Sequence, residues 1–202
     1  MSGKLSCELL TWGEVQRLCR QLSALIQASG YTPGIVIAIG RGGFVPARLV
    51  CDNLDIMALT SIKIEHYLSA AEKLAEAIIR YPLNVSVRDQ QVLIVDDVND
   101  SGDTLRLAVE YVRGFQPREV RTAVMHDKRS ARYPVDYFAK KVIKWRWLIY
   151  PWAMNEDIGG FVRNMIPHPK TLVEVQQMLA SEYDLQVSLR SLREINVCSG
   201  YG

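Results

Sequence analysis

The sequence predicts an α/β fold: a mainly parallel sheet flanked by helices, with a small hood and a short helical C-terminal tail. Three observations predict it. Short apolar runs rich in β-branched residues, IVIAIG at 35–40, VLIVDD at 92–97 and the run at 120–125, alternate with segments of helical periodicity. Those runs are apolar on both faces, as strands covered by helices on both sides must be. A chain of 202 residues with 49% hydrophobic and 23% charged content is also long enough to form one core-bearing domain, which excludes disorder and fibrous repeats.

The first element is a helix opened by a Thr-x-x-Glu capping box, Thr11 to Glu14, and carried by Trp12, Val15, Leu18, Leu22, Leu25 and Ile26 until Gly30. The strand 35–40 then passes through a glycine turn into a second helix marked by Ala47, Leu49, Val50 and Leu54. Met57 to Ile64 reads as a strand. The following HYLSAAEKLAEAIIRYP carries weak helical periodicity and is expected to be a mobile excursion. After strand 92–97, Thr104 to Arg113 reads as a helix and Val120 to Met125 as a strand. From Val135 to Trp152 the pattern changes to short strands broken by basic and aromatic residues, which suits a small cap. A second capping box, Thr171 to Glu174, opens a tail of two short helices, so the expected division is 1–168 for the main domain with its hood and 169–202 for the tail.

Composition excludes several classes of function. With 24 basic and 22 acidic residues the net charge is +2, so no strong field draws the chain to nucleic acid or to an anionic membrane. The tail resembles a helix-turn-helix in length only, since it is not rich in Lys or Arg. Cys7, Cys19, Cys51 and Cys198 are scattered with no CxxC pair, which argues against zinc or a disulfide framework and fits a reducing compartment. No signal-peptide layout opens the sequence and no apolar run approaches the ~20 residues of a membrane span, so a cytoplasmic protein is expected.

The chemistry concentrates between Val92 and Leu105. A buried strand ending in Asp96 and Asp97 and turning through Gly102 onto a helix places ligands at the carboxyl edge of a sheet, where open α/β folds bind them. Asp100, Ser101, Gly102, Asp103 and Thr104 offer consecutive backbone N–H groups, with the Ser101 and Thr104 hydroxyls, at a helix N-terminus. Such a nest suits a phosphate dianion without needing Lys or Arg. A calcium-binding loop starting at Asp97 fails at its twelfth position, Ala108, where a bidentate Glu is needed. A Walker loop fails because Asp103 stands between Gly102 and Thr104 in place of lysine. A plain surface turn does not account for two adjacent carboxylates closing an apolar strand, which repel and lose solvation unless something pairs them.

The run VLIVDDVNDSGDTL closely resembles the ribose-phosphate binding signature of type I phosphoribosyltransferases: apolar residues, two acids, two intervening residues, then Asp, Ser/Thr, Gly, any residue, Thr. The resemblance extends over roughly 30–155 and is nearest to the purine-using branch. It implies a five-stranded core sheet with a hood. It also implies that Asp96 and Asp97 bind the ribose hydroxyls of phosphoribosyl diphosphate, directly or through Mg2+, while Asp100 to Thr104 hold the 5′-phosphate. Asp100 stands where family members carry their candidate general base for a purine ring nitrogen.

IGRGGFVPA, Ile39 to Ala47, looks like the family's pyrophosphate loop, with Arg41 as the cation and Gly42 and Gly43 giving backbone access. A dinucleotide fingerprint is the rival, but Val45 falls where its third glycine belongs. Lys128 matches the lysine that contacts the exocyclic oxygen of a 6-oxopurine; a cationic donor there favours an oxo group over an amino group. WRWLIYPWAM, Trp145 to Met154, resembles the aromatic stretch of the xanthine-guanine branch. By that alignment Trp147 stacks on the base and Leu148 adjoins it, Trp152 is a weaker candidate, and Trp145 belongs to the core by alternation. The chain departs from the branch at Ala153, which replaces an aspartate; the nearest acids are Glu156 and Asp157. His66 and Tyr67 stand where the family's mobile loop carries a Ser-Tyr pair, and His126 and His168 lack metal-ligand spacing.

The expected activity is transfer of a phosphoribosyl group to hypoxanthine, guanine or xanthine in purine salvage, with Mg2+ as cofactor and a homo-oligomer, a dimer, as the assembly. Two alternatives stand beside it: a non-catalytic phosphoribosyl diphosphate sensor that binds nucleic acid, and a phosphoribosyltransferase for another base.

Overall fold

The computed structural model describes residues 5–68 and 75–195, leaving aside the side chains of 66–68, 75 and 76. The chain divides into two compact units: a sheet unit, Val15–Lys144, and a terminal unit built from the segments up to Glu14 and from Trp145 onward.

The sheet unit holds strands β2 (Ile35–Gly40), β3 (Leu59–Leu68), β4 (Ala75–Tyr81), β5 (Gln91–Asn99), β6 (Glu119–Lys128) and β7 (Tyr137–Val142), in the order β4-β3-β2-β5-β6-β7. Every pairing is parallel except β3 with β4. Helix α1 (Trp12–Ala28) leads into this unit, α2 (Phe44–Leu54) connects β2 to β3, and α3 (Asp103–Arg113) connects β5 to β6. The chain therefore moves one way from β2 and the other way from β5. The crevice between their carboxyl ends is the topological switch point of the sheet.

Six consecutive residues of β2 are buried, because both faces of the strand are covered. Ile35, Ile37 and Ile39 pack with Ile62, Ile94 and the α3 residues Leu105, Ala108, Val109 and Val112. The capping box of α1 forms as the sequence predicts: Glu14 Oε2 accepts from the Thr11 amide at 2.8 Å, and Thr11 Oγ1 accepts from the Glu14 amide at 3.2 Å.

Three expectations are corrected here. The core sheet has six strands rather than five. The weak helical periodicity near residue 75 belongs to β4, in which Ala77 and Ile79 pack on the core while Ile78 and Arg80 face outward, a period of two. Residues 69–74, the middle of the expected excursion, lie outside the described residues. Finally, β7 belongs to the main sheet rather than to a cap, because it pairs in parallel with β6 and its Tyr137 and Ala139 alternate inward.

In the terminal unit β1 (Cys7–Leu9) pairs in parallel with β8 (Trp147–Ile149), and α4 (Met154–Arg163), α5 (Leu172–Tyr183) and α6 (Leu189–Glu194) follow. One apolar cluster joins Cys7, Ile149, Ile158 and Val162 to Val175, Leu179, Leu185 and Leu192. The division by compactness thus falls at Lys144 and Trp145 rather than at 168 and 169, because the tail helices share a core with α4 and β8. Helix α5 begins where its capping box predicts, with Thr171 Oγ1 accepting from the Glu174 amide at 3.2 Å. Trp145 is a second departure: it is 47% exposed, not core. Cys7, Cys19 and Cys51 are free and buried, and Cys198 lies outside the described residues. No described helix is long and apolar enough to cross a membrane.

Candidate active site

A cavity of about 340 Å³ opens at the switch point, lined by Gly40 and Gly42 from the β2–α2 turn, Asp96 to Asn99 from the end of β5, Asp100 to Gly102, Thr104 from the start of α3, and Ile64 from β3. The sequence brings these residues together by ending two neighbouring parallel strands in glycine or acid turns.

Asp96 is 8% exposed and shares its environment with Asp97, whose amide donates to Asp96 Oδ1 at 2.9 Å. Burial first, and then the neighbouring Asp97 charge, push the Asp96 carboxyl well above the ordinary aspartate value. A pair in that state is poised for a partner that brings hydroxyl donors or positive charge. Across from it, a methyl group added to Gly42 would stand 2.6 Å from Cγ of Asp97, so only glycine admits the carboxylate so close to the β2–α2 turn. Gly43 is equally confined, since its added carbon would meet the Ile39 carbonyl oxygen at 2.7 Å. The Gly40–Arg41 peptide is cis, and Arg41 is exposed at the same turn.

The turn from Asp100 to Thr104 caps α3 with Gly102 at φ 98°, a left-handed conformation that glycine adopts without steric cost. Ser101 Oγ donates to Asp103 Oδ2 at 2.8 Å, so these two side chains are engaged with each other. Asp103 does not line the cavity, whereas Ser101 and Thr104 do.

Lys128 and Asp100, for which the sequence suggests separate duties, meet: Lys128 Nζ donates to Asp100 Oδ2 at 2.7 Å. Lys128 is 3% exposed and therefore no solvated loop lysine, while the Asp100 side chain is 44% exposed. The chain beyond Lys128 lies against the turn. Ser130 Oγ donates to the Asp100 carbonyl at 3.2 Å, and the Arg132 amide donates to the Ser101 carbonyl at 2.8 Å. A methyl group at Gly102 would stand 2.7 Å from Cβ of Tyr133.

Sequence reasoning missed Asn99 and Tyr133. Asn99 is 2% exposed, and its Nδ2 donates to Asp127 Oδ1 and to the Tyr133 carbonyl, both at 2.9 Å. Its signal was a lone amide in an otherwise apolar or acidic run.

Trp147 and Leu148 lie in the terminal unit. Trp147 is 39% exposed and its indole N–H is hydrogen-bonded to Asp157, while Leu148 is 7% exposed. Burial pushes the Asp157 carboxyl up to about 6, with the Trp147 bond opposing the shift. Trp152 is stacked on Tyr150 at 4.8 Å between ring centroids. The side chains of His66 and Tyr67 lie outside what the structure describes; their backbones pair with Ala77 and Glu76.

A sheet of this order, with a carboxylate pair and an amide-rich helix start at its switch point, suits a phosphorylated ligand. Residues 7–157 match the family model described as the phosphoribosyl transferase domain. The xanthine-guanine phosphoribosyltransferase of Cereibacter sphaeroides is 34% identical over 149 residues, covering 72% of this chain and 86% of that protein. Purine phosphoribosyltransferase from Pyrococcus horikoshii superposes with a TM-score of 0.65 at 28% identity, covering 72% of this chain and 93% of that one. A protein from Neisseria gonorrhoeae with bound ppGpp superposes with a TM-score of 0.66 at 26% identity, covering 73% and 89%. The chain belongs to the type I phosphoribosyltransferase family, in its purine branch, and is a phosphoribosyltransferase.

Proposed function

We propose that the chain transfers the phosphoribosyl group of phosphoribosyl diphosphate to a 6-oxopurine, releasing pyrophosphate, and so serves purine salvage. The observation that carries this reading is the convergence of the Asp96–Asp97 pair and the Asp100–Thr104 turn on one cavity. In the reaction the bond from ribose C1′ to the diphosphate oxygen breaks and a bond from C1′ to a purine nitrogen forms, through a cation-like sugar.

Asp96 and Asp97 accept from the ribose hydroxyls. The backbone amides of 100–104, with the Ser101 and Thr104 hydroxyls, hold the 5′-phosphate, and Asp103 contributes its amide alone. Gly42 and Gly43 let the backbone approach the leaving diphosphate, whose charge Arg41 offsets. Lys128 donates to the 6-oxo group, and Asp100 takes the proton from the base. The Lys128–Asp100 bond supports this pairing of roles, because it keeps the donor for the oxygen and the acceptor for the ring proton adjacent.

No group of three or more His, Cys, Asp or Glu among the described residues is arranged to hold a metal ion. The two carboxylates nonetheless fit Mg2+, which takes one or two protein carboxylates and completes its shell from substrate phosphates and water. Asp96 and Asp97 would hold it, and it would supply charge neutralisation at the diphosphate.

Incubation with Mg2+, phosphoribosyl diphosphate and a panel of bases is expected to release pyrophosphate with hypoxanthine, guanine or xanthine; silence with all three sinks the proposal. Asp100→Asn is expected to bind phosphoribosyl diphosphate normally and to turn over roughly 10²-fold more slowly. Unchanged turnover would remove Asp100 from the chemistry.

A further inference from the structure

A polar ladder runs across the sheet from the edge of the candidate site. Asn99, Asp127 and Lys141 are register partners across β5, β6 and β7, and their side chains are joined: Asn99 Nδ2 donates to Asp127 Oδ1, and Lys141 Nζ donates to Asp127 Oδ2. Asp127 is 5% exposed. The second hydrogen of the Asn99 amide goes to the Tyr133 carbonyl. Both acceptors lack a hydrogen to give, so the amide nitrogen must face them and the orientation of the group is settled. Its oxygen, Oδ1, is buried with no hydrogen-bond partner. Such an orphan is costly, and an apolar residue of similar size paired with a small neighbour would avoid it.

The far end of the ladder accounts for the amide. The Tyr133 carbonyl is the last of a series of attachments that hold residues 128–133 on the turn 100–102, after Lys128 on the Asp100 side chain, Ser130 on the Asp100 carbonyl and Arg132 on the Ser101 carbonyl. The three earlier attachments end on the turn itself. Asn99 instead fastens this strap to the end of β5, and Tyr133 is the residue against which Gly102 is packed. Asn99 occupies the second of the two intervening positions in VLIVDDVNDSGDTL, where the ribose-phosphate signature specifies nothing.

We infer that Asn99 is a positioning residue which, through the Tyr133 carbonyl and the Asp127 carboxylate, fixes the strap 128–133 and thereby the shape of the phosphate-binding turn. The inference rests on the reading of 100–104 as the cradle for the 5′-phosphate. Without the amide, the strap loses its anchor to β5, Tyr133 moves away from Gly102, and the amides of the turn no longer converge.

Two variants of the full chain test it by calorimetric titration with phosphoribosyl diphosphate and Mg2+, alongside thermal melting. Asn99→Ser keeps one hydroxyl hydrogen, enough for the Asp127 carboxylate but not for the Tyr133 carbonyl as well. The double variant Asn99→Val/Asp127→Ala removes the buried charge together with its donor, so no unpaired carboxylate is left to unfold the strand ends. Both are expected to melt near the parent and to bind phosphoribosyl diphosphate roughly tenfold more weakly. In turnover, KM for phosphoribosyl diphosphate should rise more than KM for the base. If either variant, melting like the parent, binds as tightly as the parent, Asn99 is only a partner for Asp127 and the inference is overturned. A parent chain that binds no phosphoribosyl diphosphate overturns the cradle itself, and the inference with it.

Discussion

Asp96 carries a conflict between folding and binding. Its carboxyl is buried beside Asp97, and both burial and repulsion favour the protonated form. Because the folded chain holds that proton more tightly than the unfolded chain, the stability Asp96 allows is present below the ordinary aspartate value of 3.8 and is lost as pH rises through the raised one. Asp96→Asn keeps an oxygen for the Asp97 amide and removes the charge. It is expected to raise the melting midpoint of the ligand-free chain at neutral pH and to weaken binding of phosphoribosyl diphosphate in the same preparation. A midpoint that falls would show that the carboxylate is already paired. At this scale the sequence was informative about the acids and glycines, because carboxylates closing an apolar strand are costly without a ligand to pair them, and a glycine before a helix marks a turn that a side chain would obstruct. It was silent on the Lys128–Asp100 and Asn99–Tyr133 contacts, which join residues 28 and 34 positions apart in the sequence.

Elements with strong periodicity and a cap were legible: α1 and α5 start at their Thr-x-x-Glu boxes, and β2 spans the apolar run that predicts it. Those without such punctuation were not. Helix α4 has no side-chain cap at Ala153, and its buried face is thin, Ile158, Gly159 and Val162, so nothing in the sequence announced it. Strand β4 was obscured because Ala, Glu, Ile and Arg serve a helix as readily as an edge strand. The first turn of α4 brings Asp157 to the Trp147 indole, with its carboxyl raised from 3.8 to about 6. The folded state again holds the proton more tightly, so its contribution is fullest below pH 3.8 and is lost by about pH 6. Asp157→Asn retains an acceptor for the indole and no longer ionises. Its melting midpoint relative to the parent should therefore climb between those two pH values and level off above them. A difference independent of pH would mean that Asp157 does not titrate in this range.

Over the whole molecule, the division of labour follows the two compact units. The sheet unit carries every residue proposed to hold the sugar, the phosphate and the diphosphate, and its mainly parallel, helix-covered core was legible from the alternation of apolar runs and helices. The terminal unit was not, because its core is collected from segments distant in sequence: Cys7, Ile149, Ile158, Val175, Leu179 and Leu192. Periodicity marks α5 as amphipathic without saying what it packs against. Leu179 is fully buried there, and Leu179→Ala is expected to cost about 2–5 kcal/mol of stability, read by chemical denaturation with tryptophan fluorescence. A cost under about 1 kcal/mol would detach the tail from that core.

The pairing of β1 with β8 also sets an order of events during synthesis. Cys7 to Leu9 emerge from the ribosome before the sheet unit, yet their partners, Trp147 to Ile149, arrive only after that entire unit has been translated. The nascent chain must carry an unpaired strand through that interval, while the strands and helices of residues 15–144 are free to assemble behind it. The segment bearing Trp147 is thus completed late, after a sheet unit that has had time to form.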